Sequence, residues 1–355
     1  MGSRSARVFV GTAVWFALTT FVANAAPGAV VPNGPRLAIS KNTLFPYRFD
    51  IETVDETGAQ PQHLAGGGPR KRPLPEEFTP PSWSPDGSML VFAGLAGKID
   101  QGSRAVRLYV SSADGSDLRP LKGTHGADEP KFAPDNTTVF FTRYWQRTHV
   151  NRRGKKEVLA RGASIWSINV SGGAPRRVTP SKNGLWMYPD SFSPDGRTLL
   201  ADQSVKRGPQ NVVKVQLDTG ATEVLLRHAV EPVYSPDGRH IAFIRWHRRV
   251  VEKRANEWDS DLYSIRAEGG GLRRITHGTG SVFSESWDPS GERLAFVRSL
   301  PEWLEPEELG YGSAVMQVNA DGSCLGFVLR PSLDVAFFGV SWQPGPDREA
   351  WRIEC

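Results

Sequence analysis

The chain has 355 residues, of which 39% are hydrophobic, 10% aromatic and 23% charged, with a formal net charge of +5. This composition supports a large apolar core and excludes a disordered chain. The positive surplus is too small to mark a nucleic-acid binder, so no nucleic-acid partner is expected.

The first element is a leader. Arg4 and Arg7 precede an apolar run over 8–22, and Ala23-Asn24-Ala25 places small residues where a signal peptidase reads. Residues 1–25 are expected to be a signal peptide. Residues 26–355 are then one exported domain, periplasmic or extracellular, and a monomer. The apolar run is shorter than the ~20 residues a spanning helix needs, and no later segment is long and apolar enough to span a membrane.

From residue 82 one turn recurs. It reads SWSPDGSMLVF at 82–92, KFAPDNTTVFF at 131–141, SFSPDGRTLLA at 191–201, VYSPDGRHIAF at 233–243 and SWDPSGERLAF at 286–296, with a worn copy, SWQPGPDREAW, at 341–351. The prolines stand 42 to 60 residues apart, the period of four-stranded propeller blades stretched by loops. An aromatic two before each proline (Trp83, Phe132, Phe192, Tyr234, Trp287, Trp342) belongs to a first strand that packs between blades. Asp-Gly or Asp-Asn makes a tight turn, because Gly and Asn tolerate positive φ. An apolar strand follows. A second Gly turn recurs further on, as in LYVSSADGSDLRPL at 108–121 and LYSIRAEGGGLRRIT at 262–276.

Residues 36–64 supply three strands without a first one, and 341–344 a first strand without a following unit. Joined, they make a blade closed by both termini. The expected fold is all-β: a six-bladed β-propeller of four-stranded antiparallel blades. Closure of this kind removes exposed sheet edges.

These residues resemble the TolB-like, or WD40-like, propeller repeat, in which Trp or Phe is followed by Ser-Pro-Asp-Gly and an apolar strand. The resemblance covers about residues 36–351 and implies the propeller. Such propellers serve as peptide-binding partners, as halves of peptidases and occasionally as enzymes. The separate N-terminal domain of TolB is expected to be lacking.

The chemistry-bearing motifs are few. There is no Gly-x-Ser-x-Gly elbow, His-Glu-x-x-His, Cys-x-x-Cys or phosphate-binding loop. No catalytic residue is assigned. The leading reading is a non-catalytic binding protein, and the alternative is a channel-centred lyase or hydrolase. His125, His228 and His277 fall at related places in loops leading into first strands, either as plain loop histidines or as metal ligands in that alternative. No cofactor is expected, with a divalent cation at the channel left open.

Binding residues are sought on the face that carries the longer connections, opposite the Gly turns. Glu129 and Glu231 stand five residues before the repeated proline, and Asp190 and Glu285 four before it, where each chain starts its innermost strand beside the axis. These carboxylates read either as a seat for a cation or a peptide's amino end, or as acceptors for neighbouring loop amides. Counting the closing blade first, the third blade's connection carries Arg143, Arg147, Arg152, Arg153, Lys155, Lys156 and Arg161. The fifth carries Arg245, Arg248, Arg249, Lys253 and Arg254, and Tyr144, Trp145, Trp246 and Trp258 are interleaved. The sixth blade's connection is acidic, with Glu302, Glu305, Glu307 and Glu308. This polarity suits a protein or peptide partner of complementary charge, or else solvated loop tips. Cys324 and Cys355, the only two cysteines, are a candidate disulfide.

Overall fold

The Ser-Pro-Asp-Gly turn is held by its own side chains. In the computed structural model Ser84, Ser193 and Ser235 each donate a 2.6 Å hydrogen bond to Oδ1 of the aspartate two residues on, Asp86, Asp195 and Asp237. The same oxygens accept the amides of Ser88, Arg197 and Arg239 at 3.0 Å. The serine hydroxyl and the amide hold the Asp195 and Asp237 carboxyls below the usual carboxylate range. Gly238 follows at φ 71°, and Asn136 takes the equivalent place at φ 58°.

The repeated proline has a partner in the next copy. A Cβ on Gly238 would meet Pro194 at 2.7 Å, one on Gly291 would meet Pro236 at 3.4 Å, and one on Gly196 would meet Pro134 at 3.6 Å. Where asparagine replaces glycine, Asn136 Oδ1 accepts the amide of Asp86 in the preceding copy at 2.9 Å. The motif therefore links neighbouring units as well as turning the chain.

The structure describes residues 36–344 apart from 45–46, 67–73, 76–79, 96–105, 207, 252–253, 279, 300–311 and 332–334. The leader at 1–25, the acidic connection with Glu302, Glu305, Glu307 and Glu308, and Cys355 lie outside the described residues. Cys324 is disulfide-bonded. No helix of the described residues is long and apolar enough to cross a membrane.

The strands form six antiparallel sheets, the blades of a ring. Blade 1 orders Val335–Trp342, Leu37–Leu44, Tyr47–Val54 and Gln62–Gly66, and Ala38 pairs with Ser341. Blade 2 runs Ser82–Trp83, Met89–Leu95, Val106–Ser112 and Arg119–Pro120, with Leu74–Pro75 also paired to Met89–Leu95. Blade 3 comprises Ala127–Phe132, Thr138–Val150, Lys156–Asn169 and Arg176–Arg177. Blade 4 comprises Leu185–Phe192, Thr198–Val205, Gln210–Gln216 and Thr222–Arg227. Blade 5 comprises Val230–Tyr234, His240–Val251, Arg254–Arg266 and Arg273–Arg274, and blade 6 Val282–Trp287, Arg293–Ser299, Ser313–Asn319 and Gly326–Leu329.

The apolar core is divided among the gaps between blades. Leu90 and Phe92 of blade 2 pack with Ala38 and Ile51 of blade 1. Leu200 and Val212 of blade 4 pack with Ile241 and Phe243 of blade 5, and Leu37 and Trp342 of blade 1 with Ala295 and Val297 of blade 6. Side chains also join the inner strands. Ser82, Ser191 and Ser286 accept the amides of Phe132, Tyr234 and Trp342 in the following blade at 3.3, 3.0 and 3.0 Å. The Trp83 and Trp287 indoles donate to the Ser341 and Val233 carbonyls of the preceding blade at 3.1 and 3.2 Å.

Replacing Gly238 with alanine should destabilise the fold by about 1–3 kcal/mol, since it forces an L side chain to positive φ and drives its Cβ into Pro194. Urea unfolding of the variant against wild type measures this.

Candidate functional site: an acidic axial cavity

The innermost strands are bulged where they begin. The register with the second strand slips around Glu129 in blade 3, at Asp190 in blade 4, across Glu231-Pro232 in blade 5 and across Ser284-Glu285 in blade 6. Glu129, Glu231 and Ser284 adopt φ of 50°, 53° and 56°. Non-glycine residues held at positive φ store strain that the surroundings must sustain, and bulges re-aim side chains. Pro130 and Pro232 are tolerated there because a skipped residue owes the ladder no N–H, and Pro189, paired with Ala201, because it stands on the first strand of its sheet, an edge.

The result is that Glu129, Asp190, Glu231 and Glu285 line one axial cavity of about 430 Å³, together with Asp202, Lys131 and Tyr188. Blades 1 and 2 contribute the uncharged Pro80, Pro81, Ser82, Phe338, Val340 and Ser341. Five carboxylates thus face one ammonium, and no ion pair within 4.0 Å joins Lys131 to a described carboxylate.

Several of these carboxylates have bonded work within the ring. The Glu231 amide donates to both oxygens of Asp202, at 3.0 and 3.1 Å. The Ser284 amide donates to Glu231 Oε2 at 2.6 Å, and the Asp202 amide to Asp190 Oδ2 at 2.8 Å. A carboxylate of one blade therefore caps the bulge amide of the next, from blade 4 to 5 and from 5 to 6. The relay stops at Glu285. Its side chain is buried, the residue being 9% exposed, and neither Oε1 nor Oε2 accepts a hydrogen bond from another residue, its own backbone amide alone lying close enough to favour the ionised form.

Enclosure sets the electrostatics. Burial pushes the Glu129 carboxyl well up, aided by Asp128, Asp190 and Glu231 and opposed by Lys131. Burial pushes Asp190 up to about 8, with Lys131 opposing and Glu231 reinforcing. Asp202 is raised by burial and then by Asp190, and Glu285 by burial and then by Glu231. Burial also raises Glu231, against the Ser284 amide. Among the described residues no group of three or more His, Cys, Asp or Glu is arranged to hold a metal ion. His125, His228 and His277 are exposed and form no such group.

The basic connections are not irregular loops. In blade 3 the second and third strands stay paired to Val150↔Lys156, although the inner strand stops at Ala127↔Arg143. Seven residues of ribbon, about 23 Å, project beyond the inner strand at the end where Glu129 sits. Alternating β-favouring residues on both arms, and Asn151 accepting the amides of Arg153 and Lys155 at the tip, account for the ribbon. Arg152, Arg153, Lys155 and Lys156 are exposed around that tip, beside Val150 at 55% and Val158 and Leu159 at 53% exposure. Blade 5 repeats the device: Arg248 pairs with Trp258 and Arg249 with Glu257, beyond the inner pair Val230↔Ile244. Trp246 there is 41% exposed.

Three contributors escape the repeat pattern. Asp202 stands eight residues after its repeated proline, where the other copies have Ala93, Thr142, Ile244 and Val297, and that lone charge in an apolar strand was its available signal. Lys131 and Tyr188 carry none. A second cleft of about 550 Å³ at the root of the blade 3 ribbon is lined by His125, Asp128, Tyr144, Trp145, Arg161 and Trp186. Tyr144 and Tyr188, with ring centroids 6.3 Å apart, stand between this cleft and the axial cavity.

Comparison with known proteins agrees on architecture. No model of a protein family matches the sequence. An uncharacterised protein of Agrobacterium fabrum is 26% identical over 229 residues, 61% of this chain and 68% of its own length. The Tol-Pal system protein TolB of Anaeromyxobacter dehalogenans is 28% identical over 203 residues, 55% of this chain and 42% of its own. The crystal structure of TolB from Acinetobacter baumannii superposes with a TM-score of 0.58 at 17% identity, over 87% of this chain and 67% of that one. The chain is a TolB-like propeller. The chain spans less than half the length of the TolB relative, and the likeness to the solved structure is one of fold.

The raised carboxylates give this propeller an unusual acid–base signature. A carboxyl whose folded pKa exceeds its unfolded value of about 4 contributes stability that is fully present below pH ~4 and lost as the pH rises through the folded pKa. With Asp190 near 8 and its neighbours also raised, the melting temperature should fall steadily between pH 5 and 8. Glu285→Gln should flatten that slope and melt higher than wild type at pH 8. Thermal melts across this range check both, and an equal slope for the two proteins would contradict the assignment.

Proposed function

We propose that this chain is an exported, non-catalytic binding protein of the cell envelope. On this reading it captures a segment of a protein or peptide on the ribbon-bearing face and seats it at the axial cavity. The observation that carries the reading is the cavity itself: four blades aim bulged inner-strand starts at one space, three of these starts hold a non-glycine residue at positive φ, and the buried Glu285 carboxylate there accepts no hydrogen bond from another residue. A cavity rich in directed polar groups on a rigid ring is a binding device. The similarity to a Tol-Pal system protein supports an envelope setting, as does the leader-like sequence at 1–25.

The two cationic ribbons flank the approach to the cavity and steer an anionic portion of the partner, since rim charges act mainly on encounter. Immobilised protein is exposed to envelope extract at low salt, and the retained polypeptide is purified and titrated. Changing Arg152, Arg153, Lys155 and Lys156 to serine should slow association at least threefold and reduce its salt dependence, with little change in melting. A control pair on the turn face, Arg197→Ser with Arg239→Ser, should leave association unchanged. Loss of binding in the control alone would place the surface on the opposite face.

A further inference from the structure

The axial cavity has a chemical bias that narrows what it accepts. Its five carboxylates differ in how their oxygens are used, and Glu129, in blade 3, is held beside Asp128 and Asp190 with no hydrogen bond among the influences on its carboxyl. Asp202 and Glu231 spend oxygens on bulge amides of the next blade. Asp190 accepts an amide within its own blade. Glu285 presents two oxygens from a buried position, and neither accepts a hydrogen bond from another residue. A buried acceptor left without a donor costs about 1–3 kcal/mol, more if charged, so this carboxyl is the place where a donor from outside has most to offer.

We propose that the axial cavity is the seat for a primary ammonium group, received by Glu285. The proposal rests on the binding-protein reading above and names the chemistry of the captured group. Three observations select an ammonium over a metal ion. The bonded oxygens of Asp190, Asp202 and Glu231 are turned to backbone amides, and no three described carboxylates are arranged as ligands. The cost of burying an ion rises with the square of its charge, so a dication here would need the direct ligation that this arrangement lacks. An ammonium instead needs a few directional acceptors, and Glu285 supplies two on a wall that Ser284 and Ser286 also line.

Binding is linked to protons. The charged groups facing Glu285 are Glu231 and Asp190 from blades 5 and 4 and Lys131 from blade 3, with Glu129 and Asp202 completing the ring of charge. Enclosure keeps part of this set protonated in the empty cavity. An arriving ammonium favours the ionised form, so a proton leaves as it binds. Affinity therefore rises with pH until the ligand loses its own proton. A lysine side chain keeps its charge to about pH 10, whereas a chain amino terminus loses it near pH 8, so the two sources differ in profile.

The test is calorimetric titration of the intact protein with Nα-acetyl-lysinamide, triglycine amide and calcium chloride, from pH 6 to 9. Wild type should bind at least one of the two amines at millimolar concentration or better, with affinity rising between pH 6 and 8. Proton release should appear as a heat that changes between PIPES and imidazole buffers, neither of which carries a primary amine. Above pH 8 a lysine-selective site keeps gaining and a terminus-selective one declines. Glu285→Gln should weaken the bound amine at least tenfold. Three results would overturn the proposal: calcium binding where neither amine does, amine binding with no proton release, or equal affinity in Glu285→Gln. The proton-release measurement uses wild type alone and decides the matter even if the variant does not fold. The retained polypeptide from envelope extract is titrated alongside. Capture that persists in Glu285→Gln and under saturating amine leaves the binding-protein reading standing and removes the ammonium site. Amine binding with no polypeptide retained does the reverse.

Discussion

The strand Val335–Trp342 pairs with Leu37–Leu44, and everything else in the molecule depends on that one ladder. Each blade buries its apolar faces only against its two neighbours, so a ring with one gap would leave two faces and two sheet edges unsatisfied. With residues distant in the chain joined in one sheet, Leu37, Val340 and Trp342 can complete the cluster shared with blade 6, and Ala38 and Ile51 the one shared with blade 2. The inner strands of adjacent blades have no ladder between them. Serine hydroxyls, tryptophan indoles and the fit of one turn's proline against the next turn's glycine link them instead.

A closed ring also fixes where its chemistry lies. Inner strands of every blade start at the same end of the axis, so a residue placed early in one of them has counterparts from the others as neighbours. Here those places are acidic in four blades and uncharged in two, which makes the cavity lopsided in charge. Mutual repulsion and enclosure raise the carboxyls, and the capping of bulge amides partly offsets this. The fold thus carries an electrostatic cost at its centre.

The two projecting ribbons come from the same geometry. Second and third strands meet at the end of the blade where the inner strand begins, so lengthening both arms extends the blade outward past the axial cavity without disturbing the core.

Much of this was legible in the residues alone. Five in-register copies of an aromatic, a Ser-Pro-Asp-Gly-like turn and an apolar strand, with a worn sixth, specify blade number and the face on which turns lie, because that motif is a local hydrogen-bonded structure whose spacing counts the blades. The same spacing placed Glu129, Asp190, Glu231 and Glu285 at the axis. What the residues could not convey was how those carboxylates are used. Asp202 joins them from a second strand, and the amides of Glu231 and Ser284 occupy some oxygens while those of Glu285 accept none from another residue. The basic stretches likewise read as loops, since ribbon pairing is decided by contacts between arms and not by composition. Local pattern determined the turns, strands and their count. Only the closed ring decided which acceptors are satisfied, because their partners come from the next blade, some thirty to fifty residues away.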